Sequence, residues 1–343
     1  MTEKERLTAV LKGKATDRPP CICPGGMMNM ITRELMEKVE KMWPMAHTDP
    51  GLMADLATAS YDLQCFENYG LPFCMTAEVE AMGAEVDLGN IDKEPHVVKY
   101  AINSVEKWIE LPDLDFEKGR LKVVLEAIKL LKAKGDAVPI IANLTGPISV
   151  ASSLMEPTIY YKALRRKKGP AKDFMNFIVS QLIRFGQEQI KAGADVIAIS
   201  DPSASGEILG PVIFEEFARP ALSEIIDGLK KYSPNTSVIV HICGKMHTVF
   251  PSLRQVPAEA LSFDAVVSLT KARENFPGRV IMGNVSTFAL ELSTPEKVSA
   301  LTKHCLKHAD IIAPACGMGT GSPLINVQSI LATVKRQELQ KEG

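Results

Sequence analysis

The 343-residue sequence is as informative in what it lacks as in what it carries. No apolar run approaches the roughly 18–20 residues a membrane-spanning helix needs, so a membrane role is not expected. Neither sign of charge dominates: 39 Lys and Arg stand against 41 Asp and Glu, a formal net charge of -2. With no long basic or acidic tail, nothing attracts nucleic acid or an anionic lipid surface. The opening "MTEKERLTAVLKGKATDRPP" is a charged amphipathic helix followed by a turn and has none of the marks of a signal peptide, which predicts a cytoplasmic protein. Seven Cys scattered along the chain, an odd number, argue against a disulfide framework. No linker of low complexity divides the chain, so residues 1–343 are read as a single domain. A dinucleotide fold would want GxGxxG directly after its first strand, and none is there.

What is there is one phrase repeated: a short β-branched run, a polar or Gly-rich turn, then an amphipathic helix. The runs are "VPIIANLTGP" (138–147), "ADVIAISDPSAS" (194–205), "SVIVHICG" (237–244), "EALSFDAVV" (259–267), "RVIMGNVS" (279–286) and "DIIAPACGMGTGS" (310–322). "PPCICPG" (19–25) and "LPFCMTAEV" (71–79) bring the strand count to eight. Strands alternating with helices imply parallel pairing through right-handed crossovers. Eight such units in this length predict an α/β protein, a (β/α)8 TIM barrel with an N-terminal helical extension. Residues 80–135, with "LPDLDFEKGR", are read as an excursion from the barrel.

Barrel enzymes work at the C-terminal ends of their strands. Here those ends carry Asn143, Asp201, His241, Cys243, Asp264, Asn284 and Cys316, a polar set following apolar runs. His241 and Cys243 stand at i and i+2, so the strand period of two aims both side chains to one side. Three readings are open at this point: buried fillers, a thiol nucleophile with its base, or two ligands of a metal. Cys316, ending the last strand, makes an imidazole and two thiolates available to one catalytic zinc, with a fourth position left for water, substrate or the carboxylate of Asp264. A nucleophile pair leaves Cys316 unexplained and needs a third residue to orient the base. Sulfur ligands make zinc a weaker Lewis acid but suit it to holding another thiol as a nucleophilic thiolate, and methyl transfer is the obvious chemistry.

Four segments, "EKERLTAVLKGKATDRPP", "KAGADVIAISDPSAS", "FPGRVIMGNVSTFALELSTPEKV" and "APACGMGTGSPLINVQSILATV", resemble the uroporphyrinogen decarboxylase superfamily over nearly the whole chain. Within it, "VHICGK" and "APACGMG" are similar to the methylcobalamin:coenzyme M methyltransferase branch. The decarboxylases proper carry an Arg-rich motif after the first strand, where this chain has "CPGGMMNM". The resemblance implies a uroporphyrinogen-decarboxylase-like barrel and one Zn2+ held by His241, Cys243 and Cys316. Asp264 stands where the family usually has Glu as an exchangeable ligand. It further implies a corrinoid protein as partner, which presents methylcobalamin, and a small thiol, coenzyme M, as acceptor. Asn143, Asp201, Ser205 and Asn284 would then line the cavity and orient the thiol's polar end. The same scaffold also serves the reverse task, moving methyl from a methyl ether or methylthiol to cob(I)alamin.

Overall fold

A computed structural model describes residues 1–339. The strands are β1 (Tyr69–Leu71), β2 (Glu85–Asp87), β3 (His96–Lys99), β4 (Ile140–Thr145), β5 (Val196–Ser200), β6 (Ser237–Ile242), β7 (Ala260–Phe263) and β8 (Val280–Met282). Six of them form one parallel sheet in the order β1-β4-β5-β6-β7-β8, while β2 and β3 pair antiparallel outside it. The sheet closes through two further extended segments. Met282 and Val285 bridge in parallel to Ile311 and Pro314, and Ile312 bridges to Cys21. Glu67 N then donates to Cys21 O at 2.8 Å, and Asn68 bonds both backbone groups of Cys23. Eight strand positions thus form a (β/α)8 barrel. Prolines 20, 24 and 314 flank or interrupt the two closing segments, and without an N–H each limits the ladder that can form there.

One boundary differs from expectation. The strand read at 71–79 lies earlier, at β1, because Pro72 cannot continue the ladder and Ala77–Ala81 is helical. Other local signals hold. Helix Lys168–Ala192 ends at Gly193, whose φ of 123° suits glycine. Thr294 caps helix Pro295–Cys305 by accepting from Lys297 N. The N-terminal helix Glu3–Leu11 carries a full capping box between Thr2 and Glu5.

The core strands β4, β5, β6 and β7 are buried along their whole length, as barrel strands sandwiched between lumen and helices must be. Helix Lys168–Ala192 covers β4 and β5 with a stripe that includes Phe174, Ile178, Leu182 and Phe185. Within 80–135, helix Gly119–Lys132 buries Leu121, Val124, Ile128 and Leu131, one apolar face at helical spacing. The β2–β3 hairpin stands apart, its turn lying near the C-terminal mouth of the barrel. Among the described residues no helix is long and apolar enough to cross a membrane.

Candidate metal centre

Strand β6 buries Val238, Ile239 and Val240 and delivers His241 at its end, with Cys243 one residue beyond the last ladder position. Its register is set by its neighbours: His241 sits opposite Ser200 of β5 and Ser262 of β7. That register supplies the imidazole's anchor, with His241 Nδ1 3.0 Å from Ser262 Oγ. The Ser262 hydroxyl points to Met28 Sδ, which leaves its oxygen to accept the Nδ1 proton. Nε2 is then the lone-pair side, and it faces Cys243 Sγ at 3.0 Å. Cys316 arrives from the far side of the barrel, its Sγ 2.9 Å from that of Cys243. The ligand atoms of His241, Cys243 and Cys316 all lie within 4.8 Å of one another, the one such group among the described residues.

The two thiols share a proton unequally. Its hydrogen bond from Cys243, followed by contact with His241, holds the Cys316 thiol well below the usual range in spite of burial. The same bond, together with burial and the charges of Cys316 and Asp264, pushes Cys243 far up. Cys243 therefore donates to a Cys316 thiolate. One nitrogen and two sulfurs, half-buried, with the imidazole already oriented from behind, fit a zinc-type ion in donor number and softness. Removing the anchor has a defined effect. Ser262→Ala should lower metal affinity by about 10–100-fold, as lost outer contacts to a ligating imidazole do, measured by competition with a chromophoric chelator.

The other sequence-predicted residues are placed differently. Asp264 accepts from Gly244 N and Val266 N, both at 3.1 Å, so its oxygens are turned to loop amides and it is not in the converging group. Asn143 donates to Pro24 O and Leu71 O, tying three neighbouring strand ends together beneath the mouth. Asp201 is fully buried and accepts from Ile148 N, Ser149 N and Ser149 Oγ, which caps helix Pro147–Leu154. Burial pushes its carboxyl up to about 6. A Cβ on Gly146 would come within 2.2 Å of Asp201 Cβ, so only glycine permits this approach. Ser205 Oγ accepts from Ile208 N within its own turn, and Asn284 Nδ2 bridges Asp264 O and Val267 O. These four side chains bond to the protein's own loops, and Asn143 Oδ1 is in addition buried with no hydrogen-bond partner among the described residues.

Two residues near the centre were not anticipated. Ser262 could have been suspected as the lone hydroxyl within an apolar run, on the strand after His241. Glu94, just before β3, has its carboxyl pushed up to about 7 by burial, with the charge of Cys316 adding to the rise. It lies in the excursion, where no periodicity marks it.

The uroporphyrinogen decarboxylase (URO-D) family model matches residues 2–337. A Methanosarcina barkeri protein named methylcobamide:CoM methyltransferase MtaA is 33% identical over 336 residues, covering 96% of this chain and 97% of that protein. A Methanosarcina mazei protein named methylated-thiol–coenzyme M methyltransferase is 30% identical, over 99% of this chain and 91% of its own length. A solved methyltransferase from Methanosarcina mazei superposes with a TM-score of 0.91 at 32% identity, over 98% of this chain and 99% of that one. Shared sequence and shared barrel agree: the chain belongs to the uroporphyrinogen decarboxylase family.

Proposed function

We propose that the protein transfers a methyl group from a methylated corrinoid, presented by a partner protein, to a small thiol at a zinc centre held by His241, Cys243 and Cys316. The convergence of one imidazole and two thiols at the barrel mouth carries this reading. The relatives named as methylcobamide:CoM methyltransferases support it and make coenzyme M the first acceptor to test. When bound, the metal would lower the pKa of an entering thiol and keep its sulfur nucleophilic near neutral pH. The chain's own residues do the rest. Ser262 holds the His241 ring, and Cys316, its thiol held low by the bond from Cys243, supplies a sulfur that ionises readily. Asp264, beside Cys243, is a carboxylate within reach of the centre by a change of its loop contacts, and it would serve as the exchangeable fourth donor.

The test uses purified protein with free methylcobalamin and coenzyme M, followed by the absorbance change of the corrinoid as methyl leaves. About one zinc per chain and methylation of the thiol are expected. Removing the metal with a chelator should abolish turnover, and added zinc should restore it. Full turnover by the metal-free protein would refute the reading. A second direction, from a methylated thiol to cob(I)alamin, is favoured by the relative named for methylated thiols. Cob(I)alamin supplied with dimethyl sulfide separates the two directions.

A further inference from the structure

The near balance of charge over the whole chain hides one uneven stretch. Residues 157–172, "PTIYYKALRRKKGPAK", hold six Lys and Arg and no Asp or Glu, so the formal net charge of -2 divides into +6 here and -8 elsewhere. The stretch spans helix Pro157–Arg166 and the first turn of helix Lys168–Ala192. Its place in the fold follows from the order of the elements. Helix Lys168–Ala192 returns from the C-terminal side of β4 to the start of β5, with Gly193, Ala194 and Asp195 alone between helix and strand. Its 25 residues are about 37 Å long, whereas the 5 residues of β5 span about 17 Å. The lower ends are level, so the first turns of the helix overtop the strand ends. The cations therefore stand as a ridge beside the mouth.

The ridge is not spent on the protein's own acids. Lys167 pairs with Glu106 at 2.6 Å, and Lys168 and Lys172 share Glu216. Lys162, Arg165 and Arg166 are exposed and have no carboxylate partner among the described residues. Apolar surface lies on both flanks. A cleft of about 410 Å3 is lined by Arg165 and Lys168 together with Leu209, Pro211, Val212 and Ile213, and Val212 is 69% exposed. A second, of about 230 Å3, is lined by Val105, Ile159 and Ala163 together with Lys162, Arg166 and Lys167. A polyanion such as a nucleic acid needs cations alone. Arginines interleaved with exposed aliphatic side chains have instead the composition of a protein–protein interface.

We propose that this ridge docks an acidic surface of the partner protein that carries the methylated corrinoid. The inference rests on the methyl-transfer reading, since a protein-bound corrinoid reaches the His241–Cys243–Cys316 centre only if its carrier sits on the rim of the mouth. Lys162, Arg165 and Arg166 meet carboxylates of the carrier, and Ile159 and Val212 pack against its apolar side chains. The charges steer the encounter and set its orientation, and they take no part in the chemistry at the centre.

The experiment compares wild type with a charge-reversed triple variant, Lys162→Glu, Arg165→Glu and Arg166→Glu, and with its neutral counterpart, Lys162→Gln, Arg165→Gln and Arg166→Gln. Coenzyme M is the acceptor and two methyl donors are used. One is free methylcobalamin, which has no protein surface; the other is the methylated corrinoid protein of the same cells, purified by its corrinoid absorbance. With the protein donor the reversed variant should lose about 100-fold in kcat/KM, carried by KM, and the neutral one about 10-fold, within the range electrostatic steering supplies. With free methylcobalamin all three should run at the same rate. Raising the salt until the Debye length shrinks from about 30 Å to about 3 Å should erase the differences seen with the protein donor. Dissociation constants from sedimentation of the two proteins together should move with KM. Equal rates with the protein donor would overturn the role of the ridge, and binding of wild type alone to phosphatidylglycerol vesicles would then assign it to an anionic lipid surface. A loss of the same size with free methylcobalamin would overturn it too. So would a loss confined to Phe288→Ser with Leu292→Ser, both 77% exposed on the helix after β8, which would seat the carrier elsewhere on the rim. A wild type that binds the corrinoid protein, with the reversed variant weakened, yet methylates the thiol from neither donor would sink the methyl-transfer reading and leave the docking surface standing.

Discussion

Replacing Cys316 with alanine should leave a folded protein that no longer retains its metal and no longer methylates a thiol. Cys316 lies beyond the ladder, is only half-buried and fills no core position, so its loss should cost no more than about 1 kcal/mol of stability. The loss at the centre is far larger. Structural zinc sites bind with roughly 10–16 kcal/mol, so one ligand in four carries on the order of 3–4 kcal/mol, or about 10²–10³ in affinity at 1.4 kcal/mol per decade. Turnover should fall by at least about as much, since no nucleophile is generated without the ion. Cys305→Ala is the control. That thiol is buried beside Asn284, outside the converging group, and its removal should leave metal content untouched. Metal analysis after gel filtration, with circular dichroism for the fold, measures both variants.

The proton held between the two thiols gives this prediction a pH signature. The bond between them holds the Cys316 thiol low and pushes the Cys243 thiol up, with burial adding to the rise at Cys243. An ion taking both sulfurs must displace the Cys243 proton, so metal affinity should fall about tenfold per pH unit as pH is lowered through neutrality. Cys243→Ala should bind weakly throughout and keep that slope, because the bond that holds the Cys316 thiol low is lost with Cys243 and the remaining sulfur must itself give up a proton.

Legibility of the sequence divides along physical lines. The β6 ladder was readable because a buried barrel strand must be apolar on both faces, and His241 and Cys243 stood out against that background. Cys316 was found by counting strands, since any eighth strand end returns to the mouth. β1 was misplaced because its apolar stretch continues past Pro72 into residues that fold as a helix, and hydrophobicity alone does not distinguish the two. Asn143, Asp201 and Asn284 show a subtler ambiguity. A polar residue ending a buried strand reads the same whether it faces a ligand or ties the frame, and here each is engaged with backbone groups of other loops. The β2–β3 turn was unreadable because Asp92 docks through tertiary contacts with Arg33 and Thr320, which leave no local pattern.

A second large effect is expected far from the metal. Glu67, 2% exposed, accepts from both terminal nitrogens of Arg18, at 2.8 and 2.5 Å, and from Cys21 N at 2.9 Å, with Arg6 Nη1 3.7 Å away. One carboxylate therefore answers two buried guanidinium groups and pins the segment that closes the barrel. Glu67→Ala removes the acceptor and leaves that positive charge buried, which costs about 3–5 kcal/mol. For a chain of this length the unfolding entropy is roughly 0.7 kcal/mol/K, so the melting midpoint should drop by about 4–7 °C. Replacing both partners, Glu67→Ala with Arg18→Met, should be less harmful than Glu67→Ala alone, because part of the buried positive charge that Glu67 balances is removed with it. The consequence reaches the mouth. The segment that Glu67 pins at Cys21 runs on to Met27 and Asn29, the residues packed against Gly317 and Met318 beside Cys316. Loosening it should let the metal go at a temperature below the melting point. Zinc release monitored during a thermal ramp, against loss of helical signal, would show the two events separating in Glu67→Ala and coinciding in wild type. Coincidence in both would mean that the anchor stabilises the barrel without steadying the centre.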